Sequence, residues 1–152
     1  MPLSVKKSNN IFIDSSIAFY CAANVGYRWA VKVMYLIAAG KIRGITDTFV
    51  CQEILERFFS SEEPGKGELL CRYFRQLIQV MLPVTEEDFI LSCELRKKYP
   101  KVSPRILLRA AVMINNGQRE ICTTFASGIE NISELERINL LAKIGEIERI
   151  SD

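Results

Sequence analysis

Asn10-Ile11-Phe12-Ile13-Asp14-Ser15-Ser16 is a short apolar run stopped by an acid and followed by two hydroxyl residues that can cap a helix. A continuous apolar run of this length suits a strand covered on both faces. The Asp-Ser-Ser step then turns the chain into a helix, so the segment reads as the opening of an α/β unit. Working outward, apolar positions recur at helical spacing from Tyr27 to Ala39, with Gly40 as the stop. Ile42 to Ile45 reads as a short link, and Arg43 to Ile45 as a possible second strand. Thr46-Asp47-Thr48 offers a cap for a helix that places Val50, Ile54 and Phe58 on one face.

Ser60 to Gly67 is the one polar, Gly/Pro-containing loop, and Gly65-Lys66-Gly67 reads as a flexible turn because it lacks P-loop spacing. A helix is predicted over Glu68 to Ile78, and a buried strand over Val80 to Val84. Thr85 begins a capping pattern for a helix to about Tyr99. Ser103-Pro104 starts another, which stops at Asn115-Asn116-Gly117. Arg119 to Thr123 is a further strand candidate. Strands alternating with helices predict a parallel sheet with helices on both faces. The end of the chain has two readings. Ser133 to Glu136 has capping-box spacing ahead of a helix, while a short strand at Arg137-Ile138 followed by a C-terminal helix also fits. With 152 residues, 49% of them apolar, and no long linker, a single domain is expected. Its core would span residues 10 to 138, with an extension over 139 to 152.

What the composition lacks narrows the chemistry. There is no histidine, which excludes His-based triads and His-bearing zinc sites. Only four aspartates are present: Asp14, Asp47, Asp88 and Asp152. The five cysteines form no CxxC pair and read as small buried hydrophobes. Free thiols without a signal-peptide pattern imply a reducing cytoplasm, and no apolar run is long enough to cross a membrane. In a parallel sheet, ligands gather beyond the carboxyl ends of the strands. Asp14 stands at such an end and Glu53 lies on the helix after the second strand, so the two carboxylates could share a hard divalent cation.

The ordered set of segments resembles the PIN domain, in particular the compact ribonuclease toxin of VapBC toxin-antitoxin pairs. The matching pieces are Ile11 to Ser16, Thr46 to Leu55, Val102 to Arg105, Ala110 to Gly117, and Glu120 to Thr124. The resemblance implies a three-layer α/β/α fold around a short parallel sheet. It also implies an acidic site that binds magnesium or manganese and cleaves RNA, with an antitoxin or other protein partner and a homodimer formed near residues 27 to 60. Asp14 and Glu53 match the first two family acids. The third falls on Ile106 and the fourth on Phe125, neither of which can ligate a cation. Glu130 can match a later acid only if one residue is inserted, and Asp47 reads as a helix cap before it reads as a ligand.

Half the carboxylates should mean low metal occupancy or none. Arg109 follows Ile106 by three residues on the same helical face, where a guanidinium would compete with a metal for Asp14 or Glu53. Lys101, Arg105 and Arg109, with Arg96, Lys97 and Lys98, form the densest basic cluster and the expected RNA surface. The expectation is therefore a PIN-fold relative of metal-dependent endoribonucleases with weak or lost activity. The alternative is a non-catalytic module that binds RNA or protein.

Overall fold

A computed structural model describes residues 10–22, 28–123 and 128–137. The Asn10–Ile13 segment is strand β1, with its last three residues fully buried, and it leads through Asp14 into helix α1 (Ser15–Ala22). Helix α2 (Arg28–Ala38) ends before Gly40, whose φ of +72° is the left-handed turn that stops the helix at little cost in glycine. The chain continues as β2 (Arg43–Asp47), α3 (Thr48–Ser60), α4 (Pro64–Leu77), β3 (Val80–Leu82), α5 (Glu86–Lys98), α6 (Pro104–Asn115) and β4 (Glu120–Cys122). A 3-10 turn at Ile129–Asn131 and strand β5 (Glu136–Arg137) follow.

The five strands run parallel in the order β3-β2-β1-β4-β5. Connections from β1 to β2 and from β2 to β3 step one way across the sheet, and the connection from β3 returns to β4 on the other side of β1. With right-handed crossovers, α1 to α4 cover one face and α5 and α6 the other. Packing agrees: α1 touches α2, α3 and α4, whereas α5 packs on α6. The result is the expected α/β/α arrangement. Its strand order reverses between β1 and β4, so the carboxyl ends of these two strands flank the crevice where parallel sheets place their ligands.

Several predicted elements need correcting. The Ile42 to Ile45 link gives way to the second-strand reading of Arg43 to Ile45: β2 runs over five residues and is hydrogen-bonded on both sides. Gly44 can lie there because Ile78 fills the space that a Cβ would need. The supposed loop ends at Glu63. Pro64 sets the first helical φ, and Gly65-Lys66-Gly67 forms the first turns of α4. The strand predicted over Val80 to Val84 stops at Leu82. Ser133 caps no helix; a turn there leads into β5, in line with the strand reading. Of that reading, Ile138 and the 139–152 extension lie outside the described residues. Of the five cysteines, Cys122 is buried, but Cys93 is exposed and Cys21, Cys51 and Cys71 are half-buried.

Antiparallel α3 and α4 cross closely because Gly67 has no side chain. A Cβ there would lie 2.7 Å from the Cβ of Phe58. Gly67→Ala should therefore lower stability by about 1–3 kcal/mol through overpacking, although alanine is the better helix former. Urea unfolding measures this, and an unchanged or raised midpoint would show that the crossing tolerates a methyl group.

A candidate acid site closed by a guanidinium

Asp14 ends β1, and its amide donates to the Cys122 carbonyl at 3.1 Å, which locks it beside the end of β4. Its carbonyl accepts from the Ile17 amide at 3.1 Å and starts α1, so Ser15 and Ser16 fall inside the first turn. The Ser16 hydroxyl donates to Asp14 Oδ2 at 3.1 Å, and the Thr123 hydroxyl donates to the same oxygen at 2.7 Å. The Ser15 hydroxyl donates across to Glu53 Oε2 at 2.7 Å. Glu53 stands on α3, which is held in place by Asp47: this residue ends β2 and accepts from the Val50 amide at 2.8 Å as the N-cap. Asp47 is thus the cap that its spacing suggests.

Between the two carboxylates lies Arg109. From α6 it donates Nη1 to Asp14 Oδ1 and Nη2 to Glu53 Oε2, the latter at 2.6 Å, and it is 1% exposed. Burial by itself would lower its pKa, but the charges of Asp14, Glu53 and Asp47 outweigh this and raise it, so the guanidinium is a permanent cation. Arg105, one turn earlier and half-exposed, brings Nε to 3.4 Å from Glu53 Oε1 at the rim. Ile106, at the third family position, is buried in the apolar core.

Asp47 Oδ2, like Glu53 Oε1, is buried without a hydrogen bond among the described residues. Burial raises the pKa of Asp47, against the opposing pull of Arg109.

The residues present do not fit a magnesium or manganese ion. A hard dication needs oxygen donors turned toward a shared point, and here that point is held by the two terminal nitrogens of a guanidinium. Among the described residues no three acidic, cysteine or histidine side chains converge as a metal-binding group. Glu130 is exposed on the 3-10 turn, and Phe125 lies outside the described residues. The basic cluster is also divided. Lys101 and Arg105 face solvent, Lys98 pairs with Glu134 at 2.7 Å, and Arg109 is too deep to meet a polyanion. Arg109 is therefore removed from the expected RNA surface.

Sequence reading missed the three hydroxyls, Ser15, Ser16 and Thr123, that fix the carboxylates. Their signal was available in principle: Ser15 and Ser16 are the two residues after the acid that follows β1, and Thr123 follows directly on β4. It also missed the groove beside Glu53, about 580 Å³ in volume, walled by Phe19, Phe49, Glu56, Arg57 and Arg105. The Arg57 guanidinium lies over the Phe19 ring, 4.7 Å from its centre.

No family model and no curated protein sequence matches the chain. Solved structures do match. One is VapBC2 from Rickettsia felis bound to a DNA fragment from its promoter, with a TM-score of 0.69, 14% identity, and coverage of 85% of this chain and 97% of the other. A toxin-antitoxin complex from Klebsiella pneumoniae has a TM-score of 0.62 and 12% identity, covering 86% and 97%. VapC20 of Mycobacterium tuberculosis, a Sarcin-Ricin loop cleaving toxin, has a TM-score of 0.57 and 18% identity, covering 73% and 86%.

Removing Arg109 should leave two carboxylates facing each other in the interior. Arg109→Met is expected to cost about 3–5 kcal/mol, and adding Asp14→Asn should recover part of it. Denaturant titration of the single and double variants measures the coupling; purely additive effects would show that the contact contributes little.

A pH comparison tests Asp47. Its raised folded pKa means that ionisation opposes folding. The penalty is absent below the ordinary carboxylate value of 3.8, grows as pH climbs to the folded value, and is constant above it. Asp47→Asn keeps the capping oxygen and should be more stable than the parent at neutral pH, with the gain fading toward pH 4. Asp47→Ala loses the cap and should cost about 1 kcal/mol relative to Asn. A pH-independent difference between parent and Asn variant would show that the charge of Asp47 does not burden the fold.

Sequence and structure thus converge on one architecture, with the acids at the crevice where its strand order reverses: the chain has the fold of the VapC PIN-domain toxins.

Proposed function

We propose that this PIN-fold chain works by holding a partner and does not hydrolyse RNA, its acid pair being closed by its own guanidinium. The observation that carries this reading is Arg109, fully buried and hydrogen-bonded to Asp14 and Glu53 at once. Phosphodiester hydrolysis in the expected manner needs a cation that can take water and phosphate oxygens as ligands, and a guanidinium can only donate hydrogen bonds. Among the described residues, no other cluster offers a metal-binding set in its place.

The groove next to this lock supports a polypeptide as the ligand. Its walls carry two aromatic rings, two glutamates and two arginines, so its formal charge balances and it offers both donors and acceptors beside apolar surface. A polyanion would gain little there, whereas an extended segment with mixed polar and apolar side chains would find partners for each. The structural neighbours include toxin-antitoxin complexes, and the partner inferred for this chain is of the same kind, an antitoxin-like polypeptide. One observation favours RNA as a second reading: Arg96, Lys97, Lys101 and Arg105 are all exposed from the last turn of α5 to the first turn of α6. Two copies of the chain would meet through the apolar groups exposed on α2 to α4, among them Tyr35, Phe59 and Tyr73.

Incubation with labelled single-stranded RNA and manganese tests the proposal. The parent protein and its Asp14→Asn and Glu53→Gln variants should all give background cleavage, and calorimetry should detect no manganese binding. Cleavage by the parent that either substitution abolishes would overturn it. Salt-sensitive retention of RNA, reduced by Lys101→Ala with Arg105→Ala, would move the choice of ligand to RNA.

A further inference from the structure

We propose that Cys51 and Cys71 are a disulfide-forming pair that staples α3 to α4 when the protein meets a peroxide. They face each other across the helical hairpin, one or two turns beyond the Gly67–Phe58 crossing. Cys71 Sγ lies 3.4 Å from the Cys51 carbonyl oxygen, to which it donates, and each thiol affects the ionisation of the other. The close approach of the backbones at Gly67 is what brings these side chains within reach. Cys71 also lines a surface depression of about 590 Å³ with Arg72 and Arg75, and it is only half-buried, so a small oxidant can approach this residue. Neither cysteine takes part in the acid–guanidinium cluster.

The chemistry balances with hydrogen peroxide as the oxidant. The Cys71 thiolate attacks one peroxide oxygen, the O–O bond breaks, and the departing hydroxide takes up a proton as water, leaving a sulfenic acid on Cys71. Cys51 sulfur then attacks the Cys71 sulfur, the S–O bond breaks, and a second water leaves. Two thiols have lost two protons and two electrons, and one peroxide has become two waters.

Burial pushes the Cys71 thiol up to about 11 and also raises that of Cys51. Asp47 opposes ionisation of Cys51 and Arg75 favours it, while Glu68 and Arg72 share the depression around Cys71. The thiolate is therefore scarce at neutral pH and the reaction slow, which separates this pair from a fast peroxide sensor. The staple would hold α3 against α4. The opposite side of α3 carries Phe49, Glu53 and Glu56, so the cross-link would also fix one wall of the groove.

The test treats the full-length reduced protein with hydrogen peroxide at pH 7, 8 and 9, blocks remaining thiols, and maps peptides without reductant. The expected product is about 2 Da lighter. It should contain a peptide bearing Cys51 linked to one bearing Cys71, should revert with dithiothreitol, and should form about tenfold faster for each pH unit. Cys51→Ser and Cys71→Ser should each abolish this product. The proposal is overturned if both thiols stay free while other cysteines oxidise, or if Cys71 proceeds to sulfinic acid without the link. The mapping on the parent protein decides the matter even if a serine variant folds poorly.

Discussion

One guanidinium sets the condition for everything around it. Arg109 is fully buried, where a lone cation would cost several kcal/mol. It is tolerable only because Asp14 and Glu53 meet it there. The converse holds equally, since two buried carboxylates this close repel each other unless a cation lies between them. The contact joins the end of β1, the first part of α3 and the middle of α6, three pieces distant in sequence. It is a tie across the sheet as well as a neutralised charge cluster.

The hydroxyls show how closely the arrangement is specified. Asp14 takes hydrogen bonds from Ser16, Thr123 and Arg109, so little of its acceptor capacity is left over. Glu53 is filled on one oxygen by Ser15 and Arg109, and its other oxygen faces Arg105 at the rim. Donors of this kind also place the carboxylates of a metal site. Here the same scaffold positions acids for a cation that is part of the chain, and the rim, not the interior, is where solvent and partners can reach the charge.

Much of this was legible in the sequence because it depends on local rules. The apolar run ended by Asp14, the Asp47 cap, the Thr85 capping pattern and the Ser103-Pro104 start all turned into the elements expected of them. Arg109 could be suspected from its three-residue offset from Ile106, because helical periodicity puts both on one side of α6. What escaped were features that exist only across elements. Gly67 reads as a loop residue unless Phe58 is known to press on it, and the full extent of β2, through Asp47, shows only once its two neighbours bond it. The Ser15-to-Glu53 bond spans 38 residues, and no local pattern announces it.

The internal cation has a consequence for how the fold answers to its surroundings. A protein whose clustered acids rely on a dissolved ion is linked by mass action to that ion: its stability follows the free concentration, and a chelator can unfold it. Arg109 supplies the counter-charge at an effective concentration fixed by the backbone. The acids at the carboxyl edge of this sheet thus take their counter-charge from the chain itself.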